Sequence, residues 1–303
     1  MHPYEAKLIE LTEKDPRLVV MTAETRFNMR NLSALLGDRF IDVGIAEQNL
    51  IGIAAGMAQL GKRPICHALA AFLTMRAFEF IRTDLGYPSL PVVIVGSFNG
   101  FLSQANGPTH QAIEDVAIMR VVPNMSIFAP SDIGELRQGL DYIGQLQGPL
   151  YIRYNEAPPI ANDRKAFAWG VNKQLVQGEK VAVLSYGLML TQCMNALEHL
   201  SSTSIRPSVF NMRFLKPMDF SLLDSVLGTY EHTVVVEDHF ATGGLFSIVR
   251  ERQGEIRTQS RLTGITLGES FFQPALMDDA LRHSGFSADQ LAARIVNCVE
   301  SAA

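Results

Sequence analysis

The chain has 303 residues, 47% hydrophobic and 19% charged, with a formal net charge of −5. That length suits two domains of about 100–200 residues each. The acidic balance, without any run of Lys and Arg, offers no field for a phosphate backbone, so nucleic acid is not an expected partner.

Cys66, Cys193 and Cys298 lie far apart without CxxC or His-Cys spacing, which argues for reduced thiols in a cytoplasmic protein and against a cysteine-bound metal. The opening MHPYEAKLIELTEKDPR reads as a charged helix rather than a leader. No apolar run approaches the ~18 residues that a membrane span needs.

Along the chain, short apolar segments alternate with helix-length stretches. RLVVMTA comes first, then RFIDV, RPICHAL, LPVVIVGS, NMSIFAP and GPLYIRY. Strands so continuous in Val, Ile and Leu are those of parallel sheets buried on both faces, so residues 1–156 read as an α/β domain. From 157 to 178 the pattern dissolves into APPIANDRKAFAWGVNKQLVQG, where paired prolines, Asn and Gly mark a linker. The alternation resumes in EKVAVLSYG, RPSVFNM, HTVVVED and RLTGITLG, which makes 179–303 a second, smaller α/β domain.

Four segments of the first domain end a predicted strand or lie just beyond one: GIAEQN, AAFLTMRAF, SFNGFLSQANGPTHQ and YIRYNE. Ligands of open parallel sheets bind at the carboxyl ends of strands, so Glu47, His110 and Arg153 are candidates to converge. Glu47 is the most telling. A carboxylate is seldom buried unpaired, yet Ile45, Ala46, Leu50 and Ile51 crowd it at a strand-to-helix junction, so a polar group should meet it. Helix capping is its alternative role. His67 lies in a predicted strand and reads as a core histidine; Glu237 and Asp238 end a strand of the second domain and read as architecture.

GIAEQN followed by GIAAGMA, then FLTMRAFE, NGPTHQ and PNMSIFAPSD, resembles the pyrimidine-binding domain of transketolases and of deoxyxylulose phosphate synthase. RFLKPMD and VVVEDHFATGG are similar to the C-terminal domain of the same families. The GDG motif of their diphosphate-binding domain is absent, so the chain looks like the C-terminal half of a split transketolase.

The resemblance implies thiamine diphosphate as cofactor, its diphosphate and Mg²⁺ held mainly by an N-terminal partner subunit, in a heterotetramer with shared active sites. It implies transfer of a two-carbon ketol unit from a ketose to an aldehyde. By the same resemblance, Glu47 would meet a ring nitrogen of the aminopyrimidine, and Phe72 would stack on that ring, with Phe78 a second candidate. His110 would face the substrate, and Arg153 would grip a sugar phosphate unless it pairs with Glu156. Asn106 stands where typical transketolases have an aspartate that recognises a sugar hydroxyl, and Phe98 where they have a phosphate-binding histidine. Both departures leave the sugar open. A decarboxylating ligase and a non-catalytic scaffold are the rival readings.

Overall fold

The computed structural model describes residues 1–25, 28–160 and 167–300. Residues 161–166 of the expected linker therefore lie outside the described residues. Among those described, twelve strands build two sheets, β1 (Leu18–Thr22), β2 (Phe40–Asp42), β3 (Arg63–Leu69), β4 (Val93–Ser97), β5 (Ser126–Phe128), β6 (Leu150–Arg153), β7 (Lys173–Val176), β8 (Val181–Ser185), β9 (Ser208–Asn211), β10 (Phe214–Lys216), β11 (His232–Val236) and β12 (Arg261–Ile265). The first sheet runs β10-β5-β6-β4-β3-β1-β2 and the second β12-β11-β8-β9-β7. Every pairing is parallel except the two that add β10 to β5 and β7 to β9.

The central strands β1, β4 and β8 are buried at every residue, as their unbroken apolar sequences require. The two halves are not independent. β10, from the second half of the sequence, closes the edge of the first sheet, and one apolar cluster runs from Val19 and Leu50 through Val116 to Leu184 and Leu245. A buried ion pair reinforces the joint: Arg213 Nη1 lies 2.8 Å from Glu135 Oε1, and Asn211 Nδ2 donates to the same carboxylate. No helix among the described residues is long and apolar enough to cross a membrane.

His67 is 4% exposed. Its Nδ1 donates to the Met21 carbonyl at 3.0 Å, which leaves Nε2 to accept from the Tyr4 hydroxyl at 2.6 Å. Burial lowers its pKa from 6.5 to about 4. Between those values the unfolded chain binds a proton that the folded chain refuses, so stability falls as pH drops through the window and is flat above it. Urea midpoints from pH 7 to pH 4 should show the native protein losing roughly 3 kcal/mol more than a His67→Gln variant; equal losses would remove His67 from the acid sensitivity.

Candidate active site

Glu47 is the first residue of the helix Glu47–Gln59, which starts where β2 has ended. The turn between them is held by Asp42, whose Oδ1 accepts from Gly44 N at 2.9 Å and from Glu24 N at 3.1 Å. The Glu47 side chain is not the helix cap. It is 2% exposed and its Oε2 receives Arg76 Nη1 at 2.9 Å, whereas Oε1 has no hydrogen bond among the described residues. Glu47 borders a cavity of about 580 Å³ at the carboxyl ends of the strands, whose wall includes Phe72, Phe98, His110 and Arg30.

The wall follows from local backbone chemistry. After β3 the chain enters a π-helical turn, Phe72–Arg76, which places Arg76 over Phe72 with its guanidinium carbon 4.3 Å from the ring centroid. The guanidinium thus touches both Glu47 and Phe72, fixing one against the other without itself lining the cavity. His110 meets Phe72 edge-on, with centroids 5.1 Å apart, and its Nδ1 is 2.9 Å from Thr109 Oγ1. Two rim residues, Glu24 and Phe98, hold positive φ angles of 61° and 59°. Left-handed backbone at non-glycine residues carries strain and concentrates at functional sites.

Glu47, Phe72 and His110 are therefore brought together as expected. Three other candidates stand elsewhere. Phe78 is half-buried against the main core and does not line the cavity. Asn106 is exposed at the end of the segment Gly100–Asn106 and is likewise absent from the cavity wall.

Arg153 corrects the expectation most sharply. It is 1% exposed, its Nε donates to Asp115 Oδ2 at 3.0 Å, and its Nη1 donates to Asp238 Oδ1 at 2.6 Å. It grips neither a phosphate in the cavity nor Glu156, whose carboxylate instead takes the Tyr154 hydroxyl at 2.8 Å. Two cations that sequence reasoning missed take its place near the site. Arg76 falls four residues after Phe72, a helical spacing that signals a shared face. Arg30 is exposed, lines the cavity and makes no ion pair among the described residues; nothing in its sequence neighbourhood marks it.

An unpaired carboxylate oxygen beside an aromatic wall fits a flat heterocycle with a polar ring nitrogen. Comparison with known proteins gives that shape a family. The profile of the transketolase pyrimidine-binding domain matches residues 3–158, and that of the transketolase C-terminal domain matches residues 170–291. The chain belongs to the transketolase family.

Among relatives, this transketolase-family chain is 35% identical over 257 residues to the 6-deoxy-6-sulfo-D-fructose transketolase subunit SqwH of Clostridium sp. strain MSTE9, covering 83% of this chain and 80% of that protein. It is 32% identical over 299 residues to the 1-deoxy-D-xylulose-5-phosphate synthase of Dictyoglomus thermophilum, covering 97% of this chain but only 48% of the synthase. The chain thus spans about half the length of the synthases it matches. A solved structure described as a split gene transketolase, inactive beta4 tetramer, superposes with a TM-score of 0.87 at 32% identity, covering 98% of this chain and 97% of that one.

Proposed function

We propose that this chain is the pyrimidine-binding subunit of a thiamine-diphosphate-dependent transketolase, which moves a two-carbon ketol unit from a ketose to an aldehyde once a second subunit supplies the diphosphate and Mg²⁺ site. The observation that carries the reading is Glu47, a buried carboxylate with one oxygen left without a hydrogen bond among the described residues, on the wall of a cavity that Phe72 and His110 also line. Bound there, thiamine diphosphate would supply the carbon nucleophile that cleaves the bond beside a ketose carbonyl.

The chain's own part is proton handling and placement. Glu47 Oε1 would share a proton with the aminopyrimidine ring nitrogen, and Phe72 would stack on that ring, adding about 0.5–1.5 kcal/mol beyond area burial. His110, on the same wall, would hydrogen-bond a donor hydroxyl or the oxygen of the reacting carbonyl.

Support for a split, partner-dependent enzyme comes from the match over nearly the full length of a chain described as a split gene transketolase, inactive beta4 tetramer. The decisive experiment is a calorimetric titration of thiamine diphosphate with Mg²⁺ into this chain, alone and mixed with a GDG-bearing partner. Binding in the mixture alone is expected; no binding in a verified complex would sink the catalytic reading. The synthase relatives favour a second reading, decarboxylating transfer from pyruvate. Turnover of pyruvate but of no ketose would establish that alternative.

With Arg153 committed elsewhere, Arg30 is the cation among the described residues of the cavity wall that would meet an anionic end of the sugar, whether phosphate or the sulfonate named for the SqwH relative. A hydrogen bond to a charged group contributes about 1.5–3 kcal/mol, so Arg30→Met should raise KM roughly 10- to 100-fold for phosphate- or sulfonate-bearing ketoses. A short uncharged donor should keep its KM. Equal KM changes for charged and uncharged donors would remove Arg30 from anion recognition.

A further inference from the structure

Among the described residues, the second domain holds the loop that carries His110 by a set of buried contacts. Asp238, just past the end of β11, is completely buried. Its Oδ1 and its backbone carbonyl both accept from Arg153, at 2.6 and 3.3 Å, and its Oδ2 accepts from the backbone N–H of Phe101 at 3.2 Å. The contact is close enough to dictate sequence. Gly100 has φ +51°, and a Cβ there would stand 1.8 Å from Asp238 Oδ2, so a side chain at 100 would displace the loop from the carboxylate.

Arg153 is in turn held by Asp115, whose Oδ2 also takes the Tyr151 hydroxyl at 2.7 Å. One residue on, the Phe101 ring enters the core of the second domain against Phe272 and Phe286, with centroids 4.8 and 5.2 Å away. The far end of the loop is fastened to the same domain. Gln111 Nε2 donates to the Phe272 carbonyl at 2.9 Å, and Phe240 N donates to the Ile113 carbonyl at 2.8 Å. Gly100 N donates to the Ala112 carbonyl at 2.8 Å and ties the two ends together. Glu47 and Phe72 stand on elements that pack on β3 and on each other, and the turn of Phe72 also packs on the helix Asp115–Arg120, which the second domain meets at His239 and Gly243.

We propose that Asp238 is a positioning residue: held by Arg153, it clamps the loop 99–112 to the second domain and thereby sets His110 against the cavity, while the Glu47 and Phe72 wall is set without it. The second domain is then tied to the substrate half of the site by Asp238, and to the cofactor half by apolar packing apart from that carboxylate. The catalytic consequence rests on the function proposed above; the clamp itself does not.

Asp238→Asn keeps the side chain's shape and removes the charge matched to Arg153. In the full chain, amide exchange across residues 99–112 should speed up about tenfold or more, with the helix Glu47–Gln59 unchanged. In the assembled pair, kcat/KM for a ketose donor should fall about tenfold or more while the Kd for thiamine diphosphate stays within about twofold. Unaltered exchange in 99–112 overturns the clamp. So does a loss shared equally by the helix at Glu47 and by cofactor affinity, which would mean general destabilisation. If Asp238→Asn does not accumulate folded, Phe272→Leu, which keeps apolar volume and removes the ring contact with Phe101, is read by the same two measurements. A native pair that transfers nothing from any donor would refute the proposed function, and the exchange data would still decide the clamp.

Discussion

Glu47→Gln in the assembled pair should lower kcat by about 10²- to 10⁴-fold, the range that a positioned proton-transfer group supplies. The amide is nearly isosteric, so Arg76 and Phe72 keep their packing, but it cannot share the ionisable proton that the chemistry needs. Thiamine diphosphate affinity should change far less than turnover, because the stacking surface is untouched and so, on the proposed division of labour, is the diphosphate site of the second subunit. Steady-state kinetics at saturating cofactor, paired with calorimetry, separate the two effects. Turnover equal to the native pair would leave the chain as a scaffold that kept the fold without the chemistry.

The second large effect concerns stability. Arg153→Met should cost about 3–5 kcal/mol, because removing one partner of a buried ion pair strands the other charge. Here it strands two, since Asp115 and Asp238 are both fully buried and both bound to this guanidinium. Methionine fills much of the volume, so the loss reports charge rather than a cavity. Urea denaturation of the full chain measures it. An unmoved midpoint, with a raised KM for phosphorylated donors, would return Arg153 to the substrate.

Arg153 also shows where sequence reading stops. Its place at the end of β6 was legible, and the strand-end rule rightly drew attention to it. Its partners were not legible, because Asp115 and Asp238 lie 38 and 85 residues away along the chain, and Asp238 meets it only after the two halves dock. Glu47 was easier. A carboxylate between a strand and an apolar helix carries its own contradiction, and the fold resolves it with Arg76 and an open cavity. Phe72 and Phe78 look alike in sequence, and only the fold shows that Phe72 lines the cavity while Phe78 packs on the core.

Most of the architecture was readable for a plain reason: strands buried on both faces must be almost wholly apolar. The ten apolar segments named from sequence all contain strands of the structure. The two strands missed, β7 in the expected linker and β10 within RFLKPMD, are short, partly polar and antiparallel. Edge positions demand little of a sequence and so leave little trace in it.

Those two modest strands close flanks that would otherwise be adhesive. An unpaired β5 would present a ladder of free N–H and C=O groups, a template for any passing extended chain. β10 covers it with a segment from beyond residue 210, and β7 does the same for β9. During synthesis the first sheet must therefore wait, with that flank open, until more than fifty further residues have been made. Its safe folding is a property of the whole polypeptide, and a gene break placed between the halves would yield two sticky fragments instead of two domains.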